Sequence, residues 1–74
     1  MTQREHVSWL LQVNNLTQTW LIANLTELGH DVSKTNMSDL LRGVRINAPI
    51  LDASEKLLED YSRWMKEYKK NYTN

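Results

Sequence analysis

Apolar residues recur at intervals of three or four along most of the chain, which is the spacing of amphipathic α-helices. Four segments keep this spacing, and Asn, Gly or Pro residues separate them. Strand-like alternation of apolar and polar residues is not seen. The pattern therefore predicts an all-α fold: a small four-helix domain that ends in a long helix.

The first two helices have recognisable start and stop signals. Thr2 and Glu5 have the spacing of a capping box, which predicts that helix 1 begins there. The Asn pair at 14–15 ends this helix, and Thr17 can cap helix 2. Gly29 follows the last apolar residues of helix 2, in the position where a left-handed residue commonly stops a helix.

Helix 3 is predicted to be short and two-sided. Ser33 is its candidate cap, and it runs to about Arg42 before Gly43 ends it. At ~100° per residue, one side is apolar and holds Met37, Leu40, Leu41 and Val44. The opposite side is polar and holds Thr35, Asp39 and Arg42, with Asn36 and Ser38 on the flanks and Lys34 in the first turn.

Helix 4 is predicted to run without a break from about 49 to 70. Pro49 is tolerated in a first turn. A 3–4 spacing then continues for about six turns, through Leu51, Ser54, Leu57, Leu58, Tyr61, Trp64, Met65, Tyr68 and Tyr72.

Helix 2, the turn and helix 3, at about 17–42, have the layout of a helix-turn-helix. In that motif the first helix braces against the phosphate backbone and the second enters the major groove. Each base pair presents a distinct pattern of donors and acceptors there, which short and varied polar side chains can read. The polar side of helix 3 carries such side chains.

Composition excludes several other kinds of protein. The 74 residues allow one domain, 1–74, and the absence of cysteine excludes disulfides and thiolate metal sites. His6 and His30 are too isolated to suggest a zinc cluster, so we expect neither metal nor cofactor. No nucleophile–base pair, Gly-rich phosphate loop or metal-ligand spacing is evident, so we expect no enzyme. Without an apolar run of ~20 residues, a cytoplasmic protein that does not enter a membrane is expected.

The charge is balanced overall but uneven along the chain. The formal net charge of zero counts against strong non-specific binding to nucleic acid. Residues 33–45, however, carry Lys34, Arg42 and Arg45 against Asp39 alone. This local positive excess lies in and just after the predicted reading helix.

Two stretches around the turn have a specific pattern. The first is Leu16-Thr17-Gln18-Thr19-Trp20-Leu21. The second, 32–45, has an apolar residue, Ser, three variable residues, an apolar residue, Ser, and then a Gly two residues before a basic residue. Together they resemble the helix-turn-helix of the Cro and phage-repressor (XRE-type) family. The chain departs from that family in Ile22, where a small residue is usual, in a link about five residues longer, and in its single long last helix.

The resemblance implies a set of DNA contacts and a function. The implied DNA-binding residues are Gln18, Ser33, Lys34, Thr35, Asn36, Asp39, Arg42 and Arg45. Gln18 would bind a phosphate, Lys34 and Thr35 would meet base edges, Asp39 could accept from a cytosine amino group, and Arg45 would contact phosphate or a base near the centre of the site. The implied function is that of a sequence-specific regulator of transcription, Cro-like or a repressor of a phage or prophage, acting on a double-stranded operator.

A second function stays open at this stage. The chain could be a protein-binding antagonist that keeps a helix-turn-helix shape and docks on a repressor or a host protein. Zero net charge and Asp39 favour the antagonist, whereas the pattern from Ser33 to Arg45 favours the DNA-binding regulator.

Helix 4 also predicts a homodimer. At 1.5 Å per residue it would be ~33 Å long, which three short helices cannot readily cover. Its distal apolar residues are therefore candidates for a dimer interface, namely Tyr61, Trp64, Met65 and Tyr68. The alternative is that they fold back on helix 1, against Trp9 and Val13, and leave a monomer. A dimer would suit DNA, where two half-sites about one helical turn apart require two linked reading helices.

Overall fold

The structure is a computed structural model that describes the backbone of residues 1–72 and the side chains of residues 1–70. It contains four helices: α1 (Gln3–Val13), α2 (Gln18–Glu27), α3 (Lys34–Leu41) and α4 (Ala48–Tyr72). No strand occurs within residues 1–72. The prediction of a small all-α fold of four helices, the last of them long, is confirmed.

Each helix begins where a side-chain oxygen accepts a hydrogen bond from a free backbone N–H, which is the usual role of an N-cap. Thr2 and Glu5 form the complete capping box of α1. The hydroxyl of Thr17 accepts from Trp20 N at 3.1 Å, and the hydroxyl of Ser33 accepts from Asn36 N at 3.1 Å. These three predicted caps are confirmed.

The helix ends also follow from local sequence. Gly29 and Gly43 have φ angles of +91° and +79°, in the left-handed region that glycine enters most easily. Asn15 follows α1 with φ +56°, as Asn tolerates better than most residues. Arg42 caps the end of α3, so the chain leaves the helix just before Gly43.

The core lies where α1 packs along α4 and where α3 contacts both α1 and α2. Each helix contributes its apolar side, as the 3–4 spacing predicts. The buried apolar residues are Val7, Leu10, Leu11, Leu21, Leu25, Val32, Met37, Leu40, Ile50 and Leu58. Among the described side chains, Leu58 is the last fully buried one along α4, although that helix continues to Tyr72.

One predicted member of the apolar side of α3 is placed differently. The spacing predicts Val44 beside Met37 and Leu40, but this residue is 72% exposed. The helical period stops at Leu41, and the turn through Gly43 directs the following residues away from the core. Ile46 is also exposed.

Two polar clusters fix α1 against α4. His6 Nδ1 lies 2.6 Å from Glu55 Oε2, and Gln3 Nε2 donates to Glu55 Oε1 at 3.3 Å. These hydrogen bonds, that of His6 first, lower the pKa of the Glu55 carboxyl below its ordinary value. Nearer the end of α1, Asn14 Nδ2 donates to Ser62 Oγ at 2.7 Å. The long helix is therefore held by polar contacts as well as by the core.

In the part of the chain that is described, none of the helices has both the length and the apolar character that crossing a membrane would require.

Candidate nucleic-acid interface

Helix α3 has one buried side and one polar outer side. Met37 and Leu40 are 0% and 1% exposed, so they anchor the helix to the core. The polar side lines a shallow hollow formed by Lys34, Thr35, Ser38, Asp39 and Arg42. We call these five residues the outer face of α3. The predicted division into an apolar back and a polar front is confirmed for the helical residues.

Asp39 and Arg42 form an ion pair on the outer face. Arg42 Nη2 donates to Asp39 Oδ1 at 2.5 Å, across one turn of the helix. The Asp39 side chain is 19% exposed and that of Arg42 is 68% exposed. Because Arg42 compensates the carboxylate, Asp39 would repel a nearby anion less than an unpaired carboxylate would.

A hydrogen bond connects the first turn of α2 to the middle of α3. Ser38 Oγ donates to Gln18 Oε1 at 2.9 Å, and both side chains are half-buried. This bond orients the Gln18 amide and leaves its N–H₂ group as the donor that an outside acceptor could meet. The sequence had placed Ser38 only on a flank of α3, so its contact with Gln18 is a feature that the pattern did not reveal.

The segment after α3 is anchored to the same helix. The backbone carbonyl of Asp39 accepts hydrogen bonds from Val44 N at 2.9 Å and from Arg45 N at 3.2 Å. The side chain of Arg45 is exposed. These bonds keep the Arg45 backbone next to the C-terminal turn of α3.

Arg4 of α1 packs against the C-terminal end of α3. The sequence pattern did not predict this contact. The Arg4 guanidinium packs over Gly43, so that a Cβ built on Gly43 would lie 3.0 Å from Arg4 Nε. The C-terminal end of α3 therefore has three arginines at or near it: Arg4, Arg42 and Arg45. Nothing local to the first turn of α1 signals this contact, because it depends on how α1 packs against α3.

Ser33 and Asn36 serve first as structural residues. The Ser33 hydroxyl accepts from Asn36 N in the cap described above, which occupies one of its lone pairs. Asn36 lies half-buried on the flank of α3. Of the eight residues predicted to bind DNA, Lys34, Thr35, Arg42 and Arg45 have exposed side chains, while the other four are half-buried or engaged in a cap.

The four residues of α4 predicted at a dimer interface share one broad side of the helix but are covered to different extents. Tyr61 packs edge-on against Trp20 of α2, with ring centroids 5.1 Å apart. Met65 lines a hollow with Trp9 and Val13 of α1. Tyr61 and Met65 are half-buried, whereas Trp64 is 60% exposed and Tyr68 48% exposed. The predicted contribution of Tyr72 concerns a side chain outside the described residues.

The described side chains contain no cluster of three or more His, Cys, Asp or Glu residues suited to hold a metal ion. Comparison of the sequence with protein-family models, and of the chain with curated proteins and solved structures, found no match.

Proposed function

We propose that the chain is a sequence-specific DNA-binding regulator of transcription, with α2 and α3 acting as a helix-turn-helix and α3 as the reading helix. The observation that carries the proposal is the outer face of α3. It gathers hydroxyl, carboxylate, ammonium and guanidinium groups on one short helix, whose other side is fixed by Met37 and Leu40. Such a mixture suits the base edges of the major groove.

The position of Lys34 supports a polyanionic ligand. It is the first residue of α3, and the first turn of this helix contains no acidic residue. A cation is unfavourable near the positive end of the helix dipole, so an acidic or neutral residue would be expected on stability grounds alone. A phosphate of the DNA backbone would offset this cost.

The hydrogen bond between Gln18 and Ser38 supports different roles for the two helices, with α2 contacting phosphate and α3 contacting bases. In the proposed complex the Gln18 N–H₂ group donates to a phosphate, while Thr35 and Asp39 face base edges. Phosphate contacts fix register, and base contacts specify sequence. Arg42 pairs with Asp39 in the free protein, and in the complex it can also approach a phosphate or a guanine.

The resemblance to Cro and phage repressors also supports the proposal. It favours a phage or prophage repressor that acts in the cytoplasm on a double-stranded operator. The cations Arg4 and Arg45 at the end of α3 would extend the phosphate contacts.

Selection from a random pool of DNA duplexes tests the proposal. We expect one sequence class to be enriched, and Thr35→Ala or Asp39→Ala to change the preferred base at one position by about 1–3 kcal/mol. Thr26→Ala, which removes a hydroxyl at the far end of α2, is the matched control and should select the wild-type sequence. If no class is enriched, or if both α3 variants select the wild-type sequence with wild-type affinity, the reading role of α3 is wrong.

The second candidate function is a protein-binding antagonist, acting on a repressor or a host protein. The zero net charge and the acidic Asp39 on the outer face favour it. It predicts that no duplex is enriched and that the affinity of the chain for DNA is negligible even at low salt.

A further inference from the structure

The distal half of α4 has a row of aromatic rings on its surface, which we call the aromatic face: Tyr61, Trp64 and Tyr68. Neighbouring rings are in contact, with centroids 6.3 Å apart for Tyr61–Trp64 and 5.7 Å apart for Trp64–Tyr68. Tyr61 is partly covered by α2, but Trp64 and Tyr68 remain about half exposed or more. A contiguous apolar surface of this kind is typical of interaction sites, unlike scattered exposed apolar residues.

One flank of the aromatic face carries charges in alternating order. At ~100° per residue, Asp60, Arg63, Glu67 and Lys70 follow one another along the same side of α4. The first three of these residues line one hollow together with Trp64, which places them beside the aromatic face. The signs therefore read negative, positive, negative, positive towards the C-terminus.

The charges of the whole helix are also divided between its halves. Residues 52–60 contain four acidic residues against Lys56, and residues 61–70 contain four basic residues against Glu67. Two such helices side by side in the same direction would oppose like charges. In opposite directions, the two acidic halves no longer face each other, and Asp60 can lie level with Lys70 of the other helix.

We propose that the aromatic face binds the same face of a second copy, with the two α4 helices antiparallel and the two-fold axis at the level of Met65. In this register residues equally distant from Met65 face each other. Arg63 then lies opposite Glu67 of the second copy, and Asp60 lies opposite Lys70. The two Trp64 rings meet at the axis, and Tyr68 packs near Tyr61 of the second copy.

The existing ion pairs within α4 are compatible with this arrangement. Within its own helix, Asp60 Oδ2 lies 3.4 Å from Lys56 Nζ, and Asp60 Oδ1 lies 3.6 Å from Arg63 Nη2. Pairing with a second copy adds cations and carboxylates to that cluster and forms a network, which stabilises more than an isolated exposed pair. The proposal depends on α4 alone and is independent of whether the ligand of α3 is DNA.

Sedimentation equilibrium of two charge-reversed variants without DNA tests the register. Arg63→Glu places Glu opposite Glu67, and Glu67→Lys places Lys opposite Arg63, so each should raise the dimer Kd about tenfold. Mixing the two variants restores opposite charges at both positions, so the mixed dimer should regain wild-type affinity. Circular dichroism checks that each variant is folded. A wild-type monomer at high micromolar concentration, or a mixture that associates no better than either variant, overturns the proposal.

Introduced thiols test the direction of the helices, since the chain has no cysteine of its own. In the antiparallel register positions 60 and 70 of different copies are level, whereas two copies of position 60 are ~15 Å apart along the axis. A disulfide needs Cα atoms within about 7 Å. Oxidation should therefore link Asp60→Cys to Lys70→Cys in a mixture and leave each variant alone unlinked. Efficient linking of either variant to itself would contradict the antiparallel arrangement.

Discussion

Removing the Gln18 amide and the Ser38 hydroxyl, singly and together, tests how α2 would fix α3 against DNA. The two groups share a hydrogen bond of 2.9 Å. Gln18→Ala should lose a hydrogen bond to a charged phosphate, about 1.5 kcal/mol or roughly tenfold in Kd. Ser38→Ala keeps the Gln18 amide but no longer orients it, which should cost about 1 kcal/mol. If Ser38 acts through Gln18, the double variant should lose little more than Gln18→Ala, a coupling of about 1 kcal/mol.

Fluorescence anisotropy with the duplex enriched by selection gives the four affinities of this cycle. Urea unfolding of the same proteins separates loss of binding from loss of stability. Thr26→Ala, whose hydroxyl bonds to Ile22 O within α2, is the control for removing a hydroxyl. Losses that simply add would show that Ser38 does not position Gln18, and an unchanged affinity for Gln18→Ala would remove the phosphate contact altogether.

Three further predictions concern charge, packing and pH. Arg45→Ala should weaken binding to every duplex and make the salt dependence shallower by about one unit. Lys66→Ala, which removes a cation from α4, should leave that slope unchanged, and a base-specific loss for Arg45→Ala would instead make Arg45 a reading residue. Met37→Ala should lower the free energy of unfolding by about 2–5 kcal/mol, because a fully buried side chain leaves a cavity beneath α3; a loss below 1 kcal/mol in urea would contradict this anchoring role. The pKa of Glu55 is lowered in the folded chain, chiefly by its hydrogen bond to His6, so its contribution to stability is present above the unfolded pKa of about 4.3 and is lost as pH falls through the lower folded pKa. In Glu55→Gln the free energy of unfolding should therefore fall less steeply as the pH drops below about 4.3. An unchanged dependence on acidic pH would show that the hydrogen bond does not stabilise the fold.

The helices could be predicted from sequence because their signals are local. A cap such as Thr2 with Glu5, or a glycine such as Gly43, acts within a few residues and favours the same structure in any context. The 3–4 spacing likewise identified most of the buried side of α1, α2, α3 and the part of α4 up to Leu58. The spacing predicts Val44 on the buried side only if the helical period continues past Leu41, where α3 ends.

The parts of the candidate site that sequence did not reveal depend on contacts between helices. Arg4 lies over Gly43 only because α1 packs against α3, and Ser38 meets Gln18 only because of the relative position of α2 and α3. The spacing predicts the distal stripe of α4 as one surface, whereas in the structure Met65 borders a hollow with α1 and Trp64 is exposed. Periodicity defines which residues share a side, but packing decides which part of that side is covered.

The affinity of the chain for its selected duplex and for a scrambled duplex, measured over a range of salt concentrations, tests the DNA-binding proposal most directly. With Arg4, Lys34, Arg42 and Arg45 contacting phosphates, log Kobs should fall with log salt with a slope of about −3.6 per copy. The selected duplex should bind at least about a thousandfold more tightly than the scrambled one. Equal affinities for the two duplexes, or no binding at low salt, would contradict a sequence-specific DNA-binding function.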